Sequence, residues 1–374
     1  MTARHASPAT GASGNSASIL TPIVDVLCVG GLSILVLVPL LLSGWELDFV
    51  AVGAVIWTQI IINYAHFMAS YRIVYRDRET ILKHKWATIG VPLILAVCLV
   101  LAIVEVNNGS NLLLIAFFAV ASGYLAWHYT GQAWGMMVTF AHLRGMRFDR
   151  TEYWLVRGGL RILLCWHLAW FLKTTLRNPG AFVSVYQVAS AATVLAAIMG
   201  VAGLVHMRVR TGHAPPFRSI VAWISIFVWY AAIARWGIAG LFLVQLAHAL
   251  QYLEFPTRVE INRSTRATER SPAVHMLIYV GLILGATMLV IQFVPGPTQG
   301  AAAAILGAGP DSMAPVLISY AIGIHHFFTD GVIWKLRNPD VQRDLFAHAR
   351  PVSASAPVEP LWWEKRFWQR RADR

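Results

Sequence analysis

The interpretation of this chain depends on one stretch, Ser319-Tyr-Ala-Ile-Gly-Ile-His-His-Phe-Phe-Thr-Asp-Gly-Val-Ile-Trp-Lys-Leu-Arg-Asn-Pro339. It begins as an apolar helix, carries His325, His326 and Asp330 within that helix, and ends in a tryptophan followed by basic residues, which is typical of a membrane surface. His326 and Asp330 are four residues apart, so a helix places them on one face. Because imidazole and carboxylate groups are costly inside a bilayer, the stretch indicates a functional site within a membrane-spanning helix.

The composition extends this interpretation to the whole chain. Of the 374 residues, 57% are hydrophobic and only 13% are charged, whereas a soluble domain has about a quarter of its residues charged. We therefore predict an all-α fold, a polytopic membrane helix bundle. Because a spanning helix needs about 20 apolar residues, we predict about ten transmembrane helices, over residues 19–43, 49–71, 87–105, 111–140, 153–173, 183–206, 217–234, 236–256, 274–294 and 313–335.

The basic residues are distributed unevenly among the loops between these runs. With the amino terminus in the cytoplasm, 27 of the 30 Lys and Arg residues fall on the cytoplasmic side, where positive charge is retained. This bias predicts that the amino and carboxyl termini are both cytoplasmic. The net charge of +12 is then explained by topology, and we expect membrane lipids and no nucleic acid as partners.

We predict three parts of the chain. Residues 1–18 form a small, polar leader that we expect to be disordered in the cytoplasm, residues 19–338 form the transmembrane domain, and residues 339–374 form a basic, aromatic tail suited to an anionic inner leaflet. Residues 295–311, rich in Gly, Ala and Pro, predict a flexible outer loop. Cys28, Cys98 and Cys165 lie in apolar runs without CxxC spacing, so we expect reduced packing residues.

Polar side chains recur at helical spacing in four even-numbered runs. The second run carries Asn63, His66 and Ser70, the fourth His128 and Gln132, the eighth Gln245, His248, Gln251 and Glu254, and the tenth His325, His326 and Asp330. At a rise of about 1.5 Å per residue, the histidines of the second, eighth and tenth runs lie about 9, 15 and 14 Å before the basic residues that follow them. His128 lies deeper, about 24 Å before Arg144, in a long run. Histidines at similar depths on separate helices can converge on one metal ion.

We therefore predict a metal site formed by His66, His128, His248 and His326. His325 is a further candidate ligand, although it points about 100° away from its neighbour on the helix, so both can bind only with two metals or a wide site. We assign supporting catalytic roles to Asp330, Gln132 and Gln251, the two amides as partners of the ligands. A nitrogen-rich set with a carboxylate and no sulfur suits iron, zinc, copper or manganese, and we expect Fe(II).

Structural interpretations of the same residues remain open. A single intramembrane histidine often forms only a hydrogen bond between helices, and this is our prediction for His167. Glu254 precedes Pro256 near the inner interface, where it is either solvated or a ligand.

The segments His128-Tyr-Thr-Gly-Gln132 and His325-His326-Phe-Phe-Thr-Asp330, together with the many apolar helices, resemble the integral-membrane, iron-dependent oxygenases of the bacterial Brp/Blh carotene dioxygenase type. The resemblance implies a multi-pass protein of a bacterial-type inner (cytoplasmic) membrane, Fe(II) as cofactor, and a carotenoid or other lipophilic small molecule as substrate. The chain contains neither the HxxxH nor the HxxHH box of membrane di-iron desaturases, which favours a mononuclear centre.

Three functions are compatible with these patterns. The first is a membrane-bound, metal-dependent oxygenase that acts on a lipid or isoprenoid. The second is a transporter or channel with a His/Asp proton or cation relay, and the third is a b-type haem protein in which two histidines are axial ligands. Since no nucleotide-binding motif is present, an oxygenase that needs electrons would receive them from a donor protein.

Overall fold

The structure is a computed structural model and describes residues 18–46, 49–266, 271–293, 313–335 and 339–348. Every regular element in these ranges is a helix. The predicted leader up to residue 17, the outer loop over 295–311 and the tail beyond residue 348 lie outside the described residues.

Each predicted apolar run corresponds to one long helix, with different end points. We name these helices in chain order α1 (Pro22–Leu42), α2 (Phe49–Val74), α3 (Trp86–Val106), α4 (Leu112–Leu143), α5 (Arg150–Thr175), α6 (Ala181–Thr211), α7 (Phe217–Trp236), α8 (Ile238–Ser264), α9 (Pro272–Phe293) and α10 (Met313–Ile333). All except α2 and α10 belong to the eight helices that are long and apolar enough to cross a membrane. The chain is therefore a multi-pass membrane protein, and α2 and α10 complete its bundle.

The helices pack so that the polar faces of α2, α4, α8 and α10 meet. Helix α2 packs against α8, α9 and α10, while α10 also contacts α3 and α4. Helix α7 packs against both α4 and α8, and α5 packs between α4 and α6. Large aromatic side chains such as Tyr129, Trp166 and Trp229 fill the core beside these contacts.

Helix α1 is irregular where it approaches α7 and α8. Its segment Leu27–Gly31 forms a π turn, and Gly30 there has a φ of 137°, a conformation that favours glycine. A Cβ atom at Gly30 would lie 2.3 Å from Cβ of Ser225 on α7. The neighbouring Val29 carbonyl accepts a hydrogen bond from Gln251 Nε2 at 2.6 Å, so the π turn fixes α1 against the polar face of α8.

The residues that precede α1 are held inside the bundle. The backbone N–H groups of Ile19 and Leu20 donate to the carboxylate of Asp25 at 2.9 and 2.8 Å. His348 Nε2 lies 2.7 Å from the Ser18 carbonyl oxygen. Contacts between residues near both ends of the described chain therefore close one end of the bundle.

Candidate metal centre

Four buried imidazoles from four helices meet in the middle of the bundle. His66 on α2 and His326 on α10 are fully buried, His248 on α8 is 1% exposed, and His128 on α4 is 9% exposed. Their ring centroids lie 4.4 to 5.4 Å apart for the pairs in contact. The helix faces that the sequence pattern marks as polar are thus the faces that bring these histidines together.

The imidazoles face one another through the same ring nitrogen. His66 Nε2 lies 2.9 Å from His326 Nε2, and His128 Nε2 lies 3.0 Å from His248 Nε2. One donor atom from each of His66, His128 and His326 lies within 4.8 Å of the other two. The Nδ1 atoms of His248 and His326 have no hydrogen-bond partner among the described residues. The Nε2 atoms therefore form the inner surface of the cluster.

Asp330 adds a carboxylate to this inner surface. It lies one turn after His326 on α10, and its Oδ2 atom is 3.1 Å from His326 Nε2 and 3.6 Å from His128 Nε2. Its Oδ1 atom accepts hydrogen bonds from Ser70 Oγ at 2.8 Å and from Tyr252 hydroxyl at 2.9 Å. One oxygen is thus anchored, while the other faces the imidazoles.

This donor set fits a transition-metal ion. Two nitrogens that each lie about 2.1 Å from one ion, in neighbouring positions of an octahedron, are about 3.0 Å apart. The His66–His326 and His128–His248 nitrogen pairs, at 2.9 and 3.0 Å, have this spacing. Neutral imidazole and carboxylate are common ligands of such ions, so the buried cluster can hold a metal ion.

The two glutamines lie behind the cluster. Gln132 Nε2 donates to the His248 carbonyl at 3.1 Å and to Gln251 Oε1 at 2.9 Å. Gln251 in turn donates to the Val29 carbonyl. The two amides therefore join α4, α8 and α1 near His248, and Gln132 contacts the His248 backbone carbonyl and not its Nε2 atom.

His325 is separated from the cluster. Its Nδ1 atom lies 3.0 Å from the Tyr71 hydroxyl, and its Nε2 atom lies 3.0 Å from the Ala87 carbonyl oxygen. Adjacent residues on a helix point about 100° apart. Since His326 faces the cluster, His325 faces α2 and the start of α3.

Aromatic side chains surround the imidazoles. The Phe327 ring stacks on His128 with centroids 4.5 Å apart, and the Phe67 ring lies 4.5 Å from both His66 and His326. Trp334 Nε1 donates to the Tyr252 hydroxyl at 2.7 Å. The pattern of polar residues in the sequence does not place Tyr252 or Trp334 in the site. A helical signal for Tyr252 was present, because it lies four residues after His248.

His167 and Glu254 lie outside this set of donors. His167 is fully buried, and its ring centroid is 6.5 Å from that of Tyr129 and 5.7 Å from that of Tyr230. Neither of its ring nitrogens has a hydrogen-bond partner within the described chain, so the predicted hydrogen bond between helices is not formed there. Glu254 is 1% exposed, so it is buried and not solvated.

A second group of possible ligands has a different character. Asp149, Glu152 and His206 offer donor atoms within 4.8 Å of one another. Arg210 Nε and Nη2 donate to the two carboxylate oxygens of Glu152 at 2.7 and 2.9 Å. The guanidinium already neutralises these carboxylates, so this group forms an ion-pair cluster at the ends of α5 and α6.

Fold and site together define a multi-pass helical membrane protein with a buried cluster of histidines and one aspartate that can hold a metal ion. Comparisons with family models, with curated proteins and with solved structures gave no match.

Proposed function

We propose that the protein is an integral-membrane, non-haem iron oxygenase that acts on a lipid or isoprenoid substrate. The observation that supports the proposal is a buried meeting of donor atoms from α2, α4, α8 and α10. Donor atoms of His66, His128 and His326 lie within 4.8 Å of one another, His248 Nε2 lies 3.0 Å from His128 Nε2, and Asp330 Oδ2 lies 3.1 Å from His326 Nε2. Five such groups without a cation would be costly to bury. His66, His128, His248 and His326 hold the metal, and Asp330 supports it.

The donor set favours iron. Imidazole and carboxylate ligands without sulfur suit Fe(II), and iron bound with open positions supplies dioxygen activation. The spacing of the imidazoles argues against haem. Two axial nitrogens on one haem iron would be about 4 Å apart, whereas the paired nitrogens are 2.9 and 3.0 Å apart and leave no room for a porphyrin.

The setting favours a lipophilic substrate. His128 and Asp330, 9% and 7% exposed, are the most exposed members of the buried cluster, and we propose that a substrate approaches between α4 and α10. Phe327, stacked on His128, lies at this approach. We therefore propose a carotenoid or another polyene, because its flat apolar chain can pack against this ring. Electrons, where the reaction needs them, come from a donor protein.

We also propose ten spans, with both termini in the cytoplasm of a bacterial-type cell. The bias of the basic residues supports this orientation. In a variant without native cysteines, Ser110→Cys should react with a membrane-impermeant maleimide in intact cells, because it precedes α4 on the outer side. His213→Cys, between α6 and α7, should react only after permeabilisation. The reverse pattern would overturn the orientation.

The metal site is tested by elemental analysis of protein purified without chelators. Wild-type protein should contain about one iron per chain and no haem absorption band. His326→Ala should lose the iron. His325→Ala is the matched control, because it removes the adjacent imidazole on the same helix and should retain the metal. Iron-loaded protein should then consume dioxygen in the presence of a carotenoid or a related isoprenoid.

Each other outcome contradicts part of the proposal. Wild-type protein that binds no transition metal, while folding as its variants do, would favour a His/Asp relay in a transporter or channel. Equal metal loss in His325→Ala and His326→Ala would place the site elsewhere. A bound metal without oxygen consumption for any isoprenoid tested would remove the oxygenase assignment and leave the metal site.

A further inference from the structure

We infer that Asp330 binds the metal ion directly through Oδ2, as a fifth donor, and that Ser70 and Tyr252 are positioning residues for it. The inference rests on the metal site of the proposed function but not on its substrate or reaction. It assigns to Asp330 a role different from that of a carboxylate that only orients a histidine.

The side of the imidazole that Asp330 faces distinguishes these two roles. A carboxylate that orients a metal-binding histidine accepts a hydrogen bond from the ring nitrogen directed away from the metal. Here the inward nitrogen of each histidine is Nε2, because the Nε2 atoms face one another. Asp330 Oδ2 lies 3.1 and 3.6 Å from the Nε2 atoms of His326 and His128. The carboxylate therefore lies on the metal side of the rings.

The other oxygen of Asp330 is held in place by hydroxyl groups. Ser70 on α2 and Tyr252 on α8 both donate to Oδ1. Trp334 Nε1 donates to the Tyr252 oxygen, which leaves the Tyr252 hydrogen available to Asp330. Oδ1 is thus engaged by two donors from two other helices, whereas Oδ2 has no hydrogen-bond partner among the described residues. This arrangement suits a carboxylate that binds an ion through one oxygen.

The fifth donor changes the expected properties of the centre. Four neutral imidazoles would leave a divalent ion with its full charge in an apolar bundle, and Asp330 reduces that charge by one. A carboxylate oxygen also shifts the preference toward iron, manganese, cobalt or zinc and away from cuprous ion. Five protein donors leave one position of a six-coordinate ion for another ligand.

Cobalt(II) is the probe that tests the assignment, because its visible absorption reports the ligands around it. Wild-type protein stripped of metal and reloaded with cobalt is compared with Asp330→Asn, Tyr252→Phe and Ser70→Ala. Asp330→Asn should change the cobalt spectrum and weaken cobalt binding by more than about 100-fold. Tyr252→Phe and Ser70→Ala should weaken binding about 10-fold while keeping the wild-type spectrum, as expected for residues behind a ligand. Glu254→Gln, another buried carboxylate, is the control and should match wild type.

An unchanged cobalt spectrum in folded Asp330→Asn would overturn the direct bond while the metal site of the proposed function survived. Wild-type protein that binds no cobalt and no iron would overturn both. Should Asp330→Asn fail to fold, infrared difference spectra of protein with the wild-type sequence decide the question. Loading cobalt should shift the carboxylate stretching bands of protein labelled with ¹³C-aspartate, and bands that do not move would overturn the inference.

Discussion

For a single buried carboxylate, the surrounding cations determine what it can do. Glu152 and Asp330 are both buried acidic residues near histidines. Glu152 accepts two hydrogen bonds from Arg210 and one from the Asp149 backbone N–H, so its charge and both its oxygens are satisfied. The Oδ2 atom of Asp330 faces imidazoles, which can be neutral. The first carboxylate stabilises the fold, and the second is available to a ligand.

We therefore expect Glu152→Gln to lower stability without changing metal content. Loss of the buried charge leaves Arg210 without its main partner, which should lower the free energy of unfolding by about 1–3 kcal/mol. Unfolding in mixed micelles of increasing dodecyl sulfate measures this change. Glu79→Gln, an exposed residue in the short helix Arg78–Lys83, is the control and should have an effect below about 0.5 kcal/mol. A loss of iron in Glu152→Gln would contradict our interpretation of the group.

The sequence predicts some of these residue roles and not others. Intramembrane histidines at similar depths are visible as polar positions on apolar helices, and His66, His248 and His326 lie together in the structure. The preference for His326 over His325 depends on Asp330, which lies four residues after His326 on the same helix face. The sequence does not predict partners that come from other helices, such as Ser70 and Tyr252 for Asp330. These contacts depend on the relative rotation of the packed helices, which a local sequence pattern does not determine.

At the level of helix pairs, close packing of α5 against α6 depends on small residues. A Cβ atom at Gly159 would lie 2.6 Å from the Ala196 carbonyl oxygen, and one at Gly203 would lie 2.6 Å from a methyl group of Val156. Small residues allow two membrane helices to approach closely and gain van der Waals contact. The position of α5 then fixes the core beside α4, which carries His128.

Gly159→Ala should accordingly separate α5 from α6. Because the clash is with backbone, which cannot rotate away, we expect the free energy of unfolding to fall by about 1–3 kcal/mol. Gly158→Ala is the matched control. A Cβ atom there meets only the flexible end of Met199, at 3.0 Å, so the change should be neutral or stabilising by up to about 1 kcal/mol. Equal stability of the two variants would show that this contact tolerates a methyl group.

The extent of each helix could be read from the sequence more readily than its irregularities. The ten predicted runs differ from the helices by up to eight residues at their ends, because polar termini such as the last two turns of α8 extend beyond the apolar segment. The π turns at Leu27–Gly31, Trp86–Gly90 and Tyr153–Arg157 were not predicted. They depend on tertiary contacts, as the approach of Gly30 to Ser225 illustrates.

For the molecule as a whole, the cluster is a junction of α2, α4, α8 and α10. An ion bound there holds four helices to one point and stabilises only the folded state. A ligand present at about 100 times its Kd adds about 2.7 kcal/mol to the free energy of unfolding.

Removal of metal should therefore lower the thermal midpoint of the wild-type protein. Differential scanning fluorimetry before and after chelation measures the change, and added Fe(II) should reverse it. His326→Ala should unfold at one temperature whether or not chelator is present. A wild-type midpoint that is insensitive to chelator would contradict a metal-linked junction.

The contact between His66 and His326 joins residues that are 260 positions apart in the chain, and this has a consequence for biogenesis. At roughly 5–20 residues per second, the ribosome needs roughly 10–50 s to reach the second histidine after the first. Until then His66 on α2 lacks its His326 partner. An ion that needs both imidazoles therefore binds only after translation is nearly complete.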